Sequence, residues 1–187
     1  MHCDNVQFYG SGWNNVIEGN FFNGGSTLIL INGNDNGVIR NNVFKSVGST
    51  PLDVQNACPS NTYPVLIEHN TFDGALLRVN YYCNAVIRNN AFRGGTYSTA
   101  GSVSCTDCVA SYNVADTAVY GENSIQGTVI FQGGANPTTQ AGYQLVAGSP
   151  GYRDGSDGHD RGTNDYGTVV EPPVPFLPVP RNLRISP

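Results

Sequence analysis

One seven-residue phrase recurs down the chain, at residues 16–22, 38–44, 66–72 and 86–92, with a fainter copy at 109–115. Each copy runs apolar, Ile, charged, turn residue, Asn, small or apolar residue, Phe; the faint copy keeps the Asn and loses the Ile and Phe. The asparagines Asn20, Asn42, Asn70, Asn90 and Asn113 are 22, 28, 20 and 23 residues apart. A period of that size means that each unit is one supersecondary turn laid on the next. It is too short for a pair of helices, and no 3.6-residue apolar period runs through it. The recurring residues are β-branched and aromatic and sit between Gly, Asn and Ser clusters, so each unit is made of strands and turns.

The register continues upstream of the asparagine. Val6 and Phe8 precede Ile17 as Leu28 and Leu30 precede Ile39, and the pairs Leu52/Val54 and Leu77/Val79, then Val103, take the same place later. Gln7, Ile29, Asp53, Arg78 and Ser104 lie between them, mostly polar, which is the alternation of a half-buried strand. Each unit therefore holds at least two short strands, pairing in parallel with their copies in the next. Ile17, Ile39, Ile67 and Ile87 are expected to stack in the interior, and Phe22, Phe44, Phe72 and Phe92 to form a second stack. The asparagine reads as an interior turn residue whose amide bonds the turn backbone and the next asparagine.

Tandem copies of apolar-Ile-x-x-Asn-x-Phe resemble the right-handed parallel β-helix repeat family, the pectate-lyase-like architecture of many secreted bacterial proteins. The resemblance spans about residues 3–120, and it implies an all-β solenoid of about five to six coils. The run Tyr143-Gln144-Leu145…Ser149-Pro150, followed by Asp157-Gly158-His159-Asp160, is similar to the closing segment of such proteins. The scaffold hosts lyases, hydrolases, epimerases, adhesins and tailspikes, so it carries no activity by itself. The organisation expected is coils over residues 1–124, a segment 125–170 packing on or capping them, and a proline-rich linker or tail over 171–187, which holds six of the eleven prolines. Within it, residues 180–186 resemble the opening strand of a fibronectin type III-like module; a natural C-terminus accounts for them nearly as well.

Charge is sparse and ordered. Charged residues are 12% of the chain, against the usual ~25%, with a net charge of −5 and no basic stripe. That argues against a nucleic-acid partner, and no apolar run approaches the ~18 residues of a membrane span. One place after the recurring Ile come Glu18, Arg40, Glu68, Arg88 and Ser111; one place after the Phe come Asn23, Lys45, Asp73, Arg93 and Asp116. On stacked strands these columns alternate in sign, with Asp53 and Arg78 as a third pair, and unlike charges on adjacent strands fix register. A lyase needs an unneutralised Arg or Lys as base, and an inverting hydrolase two carboxyls roughly 6.5–9.5 Å apart. The ladders supply neither, so no catalytic residue is assigned.

Cys58 and Cys83 each lie four residues after a stacking valine, which places them on neighbouring coils within disulfide reach. A Cys58–Cys83 bond is expected, and with it an oxidising, secreted or cell-surface home. Cys105 and Cys108 either bond each other or stay buried. His69 fills the turn slot occupied elsewhere by Gly19, Asn41, Asn89 and Tyr112. The acidic loop offers Asp154, Asp157 and Asp160 as oxygen ligands for Ca2+, or simply as a hydrogen-bonded turn region. Loops along one edge carry Trp13, Asp35, Tyr63, Tyr81 and Tyr82, suited to stack on sugar rings and bond their hydroxyls. Extracellular polysaccharide is therefore the expected partner, bound or processed; a lyase or hydrolase site on this segment and a non-catalytic adhesin or stalk are the rivals. The uncapped first coil suggests self-association through that end. The column Val16, Val38, Leu66, Val86 and Val109 points outward if Ile points inward, and segment 125–170, with Val129-Ile130-Phe131, is expected over part of the coil and is a candidate cover for that column.

Overall fold

The structure, a computed structural model, describes residues 4–24, 27–45, 52–55, 64–80, 85–98, 108–118 and 121–164. Its strands come in threes along the chain. They are β1 (Asp4–Trp13), β2 (Val16–Glu18) and β3 (Phe21–Asn23), then β4 (Thr27–Asp35), β5 (Val38–Arg40) and β6 (Val43–Lys45). Next come β7 (Leu52–Gln55), β8 (Val65–Glu68) and β9 (Thr71–Asp73), then β10 (Leu76–Asn80), β11 (Ala85–Arg88) and β12 (Ala91–Arg93). β13 (Thr96–Ser98), β14 (Cys108–Ser111), β15 (Val114–Ala115) and β16 (Ile125–Gln126) close the series. Every third strand pairs up to β15, and β16 adds to β15, always in parallel, so the first sheet is β1-β4-β7-β10-β13, the second β2-β5-β8-β11-β14 and the third β3-β6-β9-β12-β15-β16. The described residues are thus all-β, in parallel sheets that fit a β-helix-like winding.

The recurring Phe lies on a strand of its own, making three strands per circuit. Between the second and third sheets the chain turns within two residues. The first is left-handed in each copy: Gly19 (φ 69°), Asn41 (53°), His69 (52°), Asn89 (54°) and Tyr112 (52°). The second is the asparagine. The Asn42 side-chain amide donates to Asn70 Oδ1 (3.0 Å), to the Ile17 carbonyl (2.8 Å) and to the Arg40 carbonyl (2.9 Å). The Asn42 backbone N–H donates to the same Asn70 oxygen (3.0 Å). Asn70 repeats the set toward Asn90, and Asn90 toward Asn113. The ladder ends where Asn113 N–H donates to the Ser124 hydroxyl (3.0 Å). A corner this tight buries polar backbone groups, and one amide column pairs them.

Inside, Ile17, Ile39, Ile67 and Ile87 are in register and buried. Phe22, Phe44, Phe72 and Phe92 stack with centroids 5.3, 5.0 and 4.8 Å apart and nearly parallel rings. Such contacts add ~0.5–1.5 kcal/mol per pair beyond the area they bury. The register of β4 differs from the expectation above. Val6 pairs with Ile29 and Phe8 with Ile31, which go on to Leu52 and Val54, while Leu30 falls in the column of Gln7 and Asp53. β4 sits one residue out of step with the 22-residue repeat, so Leu28 and Leu30 are not the stacked pair. Leu77 pairs with Tyr97 rather than with Val103, which lies outside the described residues.

Segment 121–164 covers the outer face of the third sheet. Val43, Ala91 and Val114 point away from the interior, yet they are fully buried under Val129, Phe131, Tyr143 and Leu145. This corrects the proposed cover for the valine column: Val16 and Val109 are 57% and 59% exposed, and the segment lies over the neighbouring sheet. The reason is the corner row. Thr163 N–H donates to the Thr71 hydroxyl (3.0 Å), Gly162 N–H to the Asn89 carbonyl (2.7 Å), and Arg161 to the Asn113 and Asn123 carbonyls (3.1 and 2.8 Å). The left-handed corners turn polar groups outward, and the segment pairs them.

Candidate functional site

Of the edge residues expected to meet sugar, two lie within the described strands, and the structure brings them together. Trp13 ends β1 and Asp35 ends β4, and they are register partners across the first sheet. Register partners on adjacent parallel strands are about 4.8 Å apart. Each is followed by a left-handed asparagine, Asn14 and Asn36, both at φ 57°. Asparagine tolerates that conformation because its short amide bonds locally. The Asn36 amide donates to Asn14 Oδ1 at 2.6 Å, in an exposed position. This rim therefore sets Trp13 and Asp35 at the same height on two circuits, each before a left-handed asparagine. Tyr63, Tyr81 and Tyr82 lie outside the described residues.

On the same sheet Asp53 and Arg78 are register partners and form a salt bridge. Asp53 is 2% exposed, and its hydrogen bond holds the Arg78 guanidinium above the ordinary arginine value. An arginine so engaged is a poor base. The remaining ladder charges are also occupied. Glu18 faces Arg40 (3.1 Å), Glu68 faces Arg88 (2.9 Å), and Asp73 faces Arg93 (2.7 Å). Lys45 instead donates to the Pro137 carbonyl (3.1 Å), and Asp116 accepts from Gly94 N–H. Asp73 also accepts from the buried Tyr143 hydroxyl (2.7 Å); burial and that bond push the Tyr143 pKa well up.

The three aspartates offered as Ca2+ ligands do not converge. Asp154 accepts from Arg161 (2.8 Å), Asp157 meets His69 Nε2 (2.7 Å), and Asp160 accepts from Arg153 N–H (2.8 Å). Among the described residues, no group of three or more His, Cys, Asp or Glu is placed to hold a metal ion. Burial opposes the Asp157 charge, but the hydrogen bond and charge of His69 outweigh it and pull the carboxyl down to about 2. Asp160 goes the other way: burial raises it despite its bonds to backbone amides. His69 is 7% exposed, with Nδ1 3.0 Å from the Asp160 carbonyl and 2.8 Å from the Asn164 amide. It thus anchors the acidic loop to a corner of the winding.

The same segment holds a polar cleft of about 190 Å3, lined by Gln132, Gln144, Tyr152, Arg153, His159 and Asp160 among others. Sequence reasoning missed it, because its residues come from separate turns of the irregular segment that no repeat brings into register. The isolated pair Tyr152-Arg153 beside glycines was the one available signal. Cys108 is disulfide-bonded and borders the core; Cys58 and Cys83, with Cys3 and Cys105, lie outside the described residues. No family model matches this chain, and no curated protein matches it.

Proposed function

We propose that the chain is the C-terminal part of a right-handed parallel β-helix, pectate-lyase-like and of about five to six coils, from a secreted or cell-surface protein that binds extracellular polysaccharide. Right-handed crossovers are the rule for parallel strands in one sheet. The observation that carries the binding is the register pairing of Trp13 with Asp35 above the Asn14–Asn36 contact. An aromatic residue in register with an aspartate, each followed by an asparagine, supplies the residue types that suit a polymer of rings and hydroxyls. Binding is favoured over lyase or hydrolase action by the pairing of Asp53 with Arg78 and of the ladder carboxylates with cations.

A glycan array tests the reading. Wild type is expected to retain acidic or neutral plant-type or bacterial polysaccharides, and Trp13→Ala and Asp35→Ala each to weaken retention at least tenfold. Wild type that retains no glycan would leave the stalk or adhesin reading standing instead, and retention indifferent to both substitutions would overturn the Trp13–Asp35 rim as the binding site.

A further inference from the structure

We propose that the outward column Val16, Val38, Leu66, Val86 and Val109 on the second sheet is the docking strip for this chain's own proline-rich segment, residues 172–178. The five are register partners on adjacent strands, so they form one continuous apolar strip. Residues 121–164 leave it open: Val16 and Val109 are exposed, and the three between them are half-buried. The third sheet shows how this chain treats such a surface, since its outward residues Val43, Ala91 and Val114 are fully buried under downstream chain. The strip lies on a different sheet from the Trp13–Asp35 rim, and its occupancy does not depend on polysaccharide binding.

Route, length and chemistry select this occupant. Residues 161–164 run along the corner between the second and third sheets, each meeting a coil earlier than the last. Arg161 meets the Asn113 carbonyl, Gly162 the Asn89 carbonyl, Thr163 the Thr71 hydroxyl and Asn164 the Asn41 side chain. Val38 lies three residues before Asn41, ~11 Å away at most, and the seven residues 165–171 reach up to ~23 Å. In the extended form that prolines favour, at ~3.1 Å per residue, 172–178 is ~19 Å long. The strip crosses four strand spacings of ~4.8 Å, which also makes ~19 Å. Backbone groups of a sheet point along its plane, so its face offers no partner to an occupant's amides. Four of residues 172–178 are prolines, which have no N–H, and all seven side chains are apolar. A second copy fits less well: five strands of three or four residues give roughly 300 Å2, against the ~800 Å2 per partner of a stable interface. A tethered segment needs less area, because its effective concentration is in the millimolar range.

Aromatic-to-methyl NOE spectroscopy on the intact chain, at two concentrations about tenfold apart, tests the docking. Cross-peaks from the Phe176 ring to the methyls of at least two of Val38, Leu66 and Val86 are expected, with relative intensities unchanged by dilution. Phe176→Ser/Leu177→Ser should abolish them, move the strip's methyl shifts and raise binding of an apolar dye at least twofold. Contacts among Ile39, Ile67 and Ile87 should persist in that variant, which shows that the coils stay folded. Leu66→Lys should displace the segment from the other side, moving the Phe176 ring shifts toward those of a free peptide of residues 165–187. The absence of cross-peaks from Phe176 to the strip, strip methyls unmoved by the double substitution, or Phe176 shifts unmoved by Leu66→Lys would each overturn the docking. Cross-peaks that fade on dilution would overturn it in favour of a second copy on the same face.

Discussion

Asn70 pairs polar groups of four other residues at one corner. Its oxygen accepts from the Asn42 backbone and side chain, and its amide donates to the Ile39 carbonyl, the Glu68 carbonyl and Asn90. Each buried group left unpaired costs about 1–3 kcal/mol. Asn70→Ala is therefore expected to lose at least ~3 kcal/mol in urea unfolding, and Asn20→Ala, at the exposed end of the ladder, less than ~1 kcal/mol. Equal losses at the two positions would refute the ladder's role. Asp157 makes a pH prediction. Its folded value of about 2 lies below the ordinary carboxylate value, so its contribution is present above about pH 4 and disappears as pH falls toward 2. At 44% side-chain exposure that contribution is screened to about 1 kcal/mol or less. Melting curves of Asp157→Asn should fall below wild type at pH 6 and meet it near pH 2. The asparagine column was legible in the sequence because its offsets from Ile and Phe never change. The left-handed corner was visible only as a slot filled by Gly, Asn, His and Tyr, since no single residue type marks it.

Among the strands, register is held by stacking inside and by paired charges outside. Arg40 donates to Glu18, and Arg88 to Glu68, with both arginines in register with Glu68 on either side. Glu68→Lys would set three cations on adjacent strands, and like charges there destabilise by about 0.2–1 kcal/mol per pair. A loss of about 1–2 kcal/mol is expected for Glu68→Lys, with part regained in Glu68→Lys/Arg88→Glu. A double variant no more stable than the single one would show that the column does not set register. The Ile, Phe and Asp53–Arg78 columns could be read from the sequence because their neighbours repeat. β4 could not: its run Leu28-Ile29-Leu30-Ile31 offers two apolar alternations, and only pairing with Leu52 and Val54 selects Ile29 and Ile31. Where every residue is apolar, a one-residue slip leaves no trace in the pattern.

For the whole molecule, the decisive contact is between the docked segment and the corner row. Residues 121–164 bury the outward face of the third sheet, and Arg161, 2% exposed, ties their return to the Asn113 carbonyl of the corner row and to the Asn123 carbonyl at their own start. Burial lowers the Arg161 pKa, with the Asp154 carboxylate opposing. Arg161→Ala is expected to leave the strands folded while speeding proteolysis between residues 121 and 164 at least tenfold; unchanged cleavage would mean the pin is dispensable. The sequence predicted a segment lying on the coils, yet gave the wrong neighbour, because exposed valines looked like the surface in need of cover. The segment's polar bonds go to the corners instead, and the cleft, lined wholly by the segment's own residues, had no repeat to reveal it. All of this presupposes that equivalent residues of successive repeats touch. Methyl NOE spectroscopy on the isoleucine-labelled chain tests that most directly. Cross-peaks linking Ile17 to Ile39, Ile39 to Ile67 and Ile67 to Ile87 in a single line are the result expected; their absence, with Ile67 contacting residues outside this column, would contradict it.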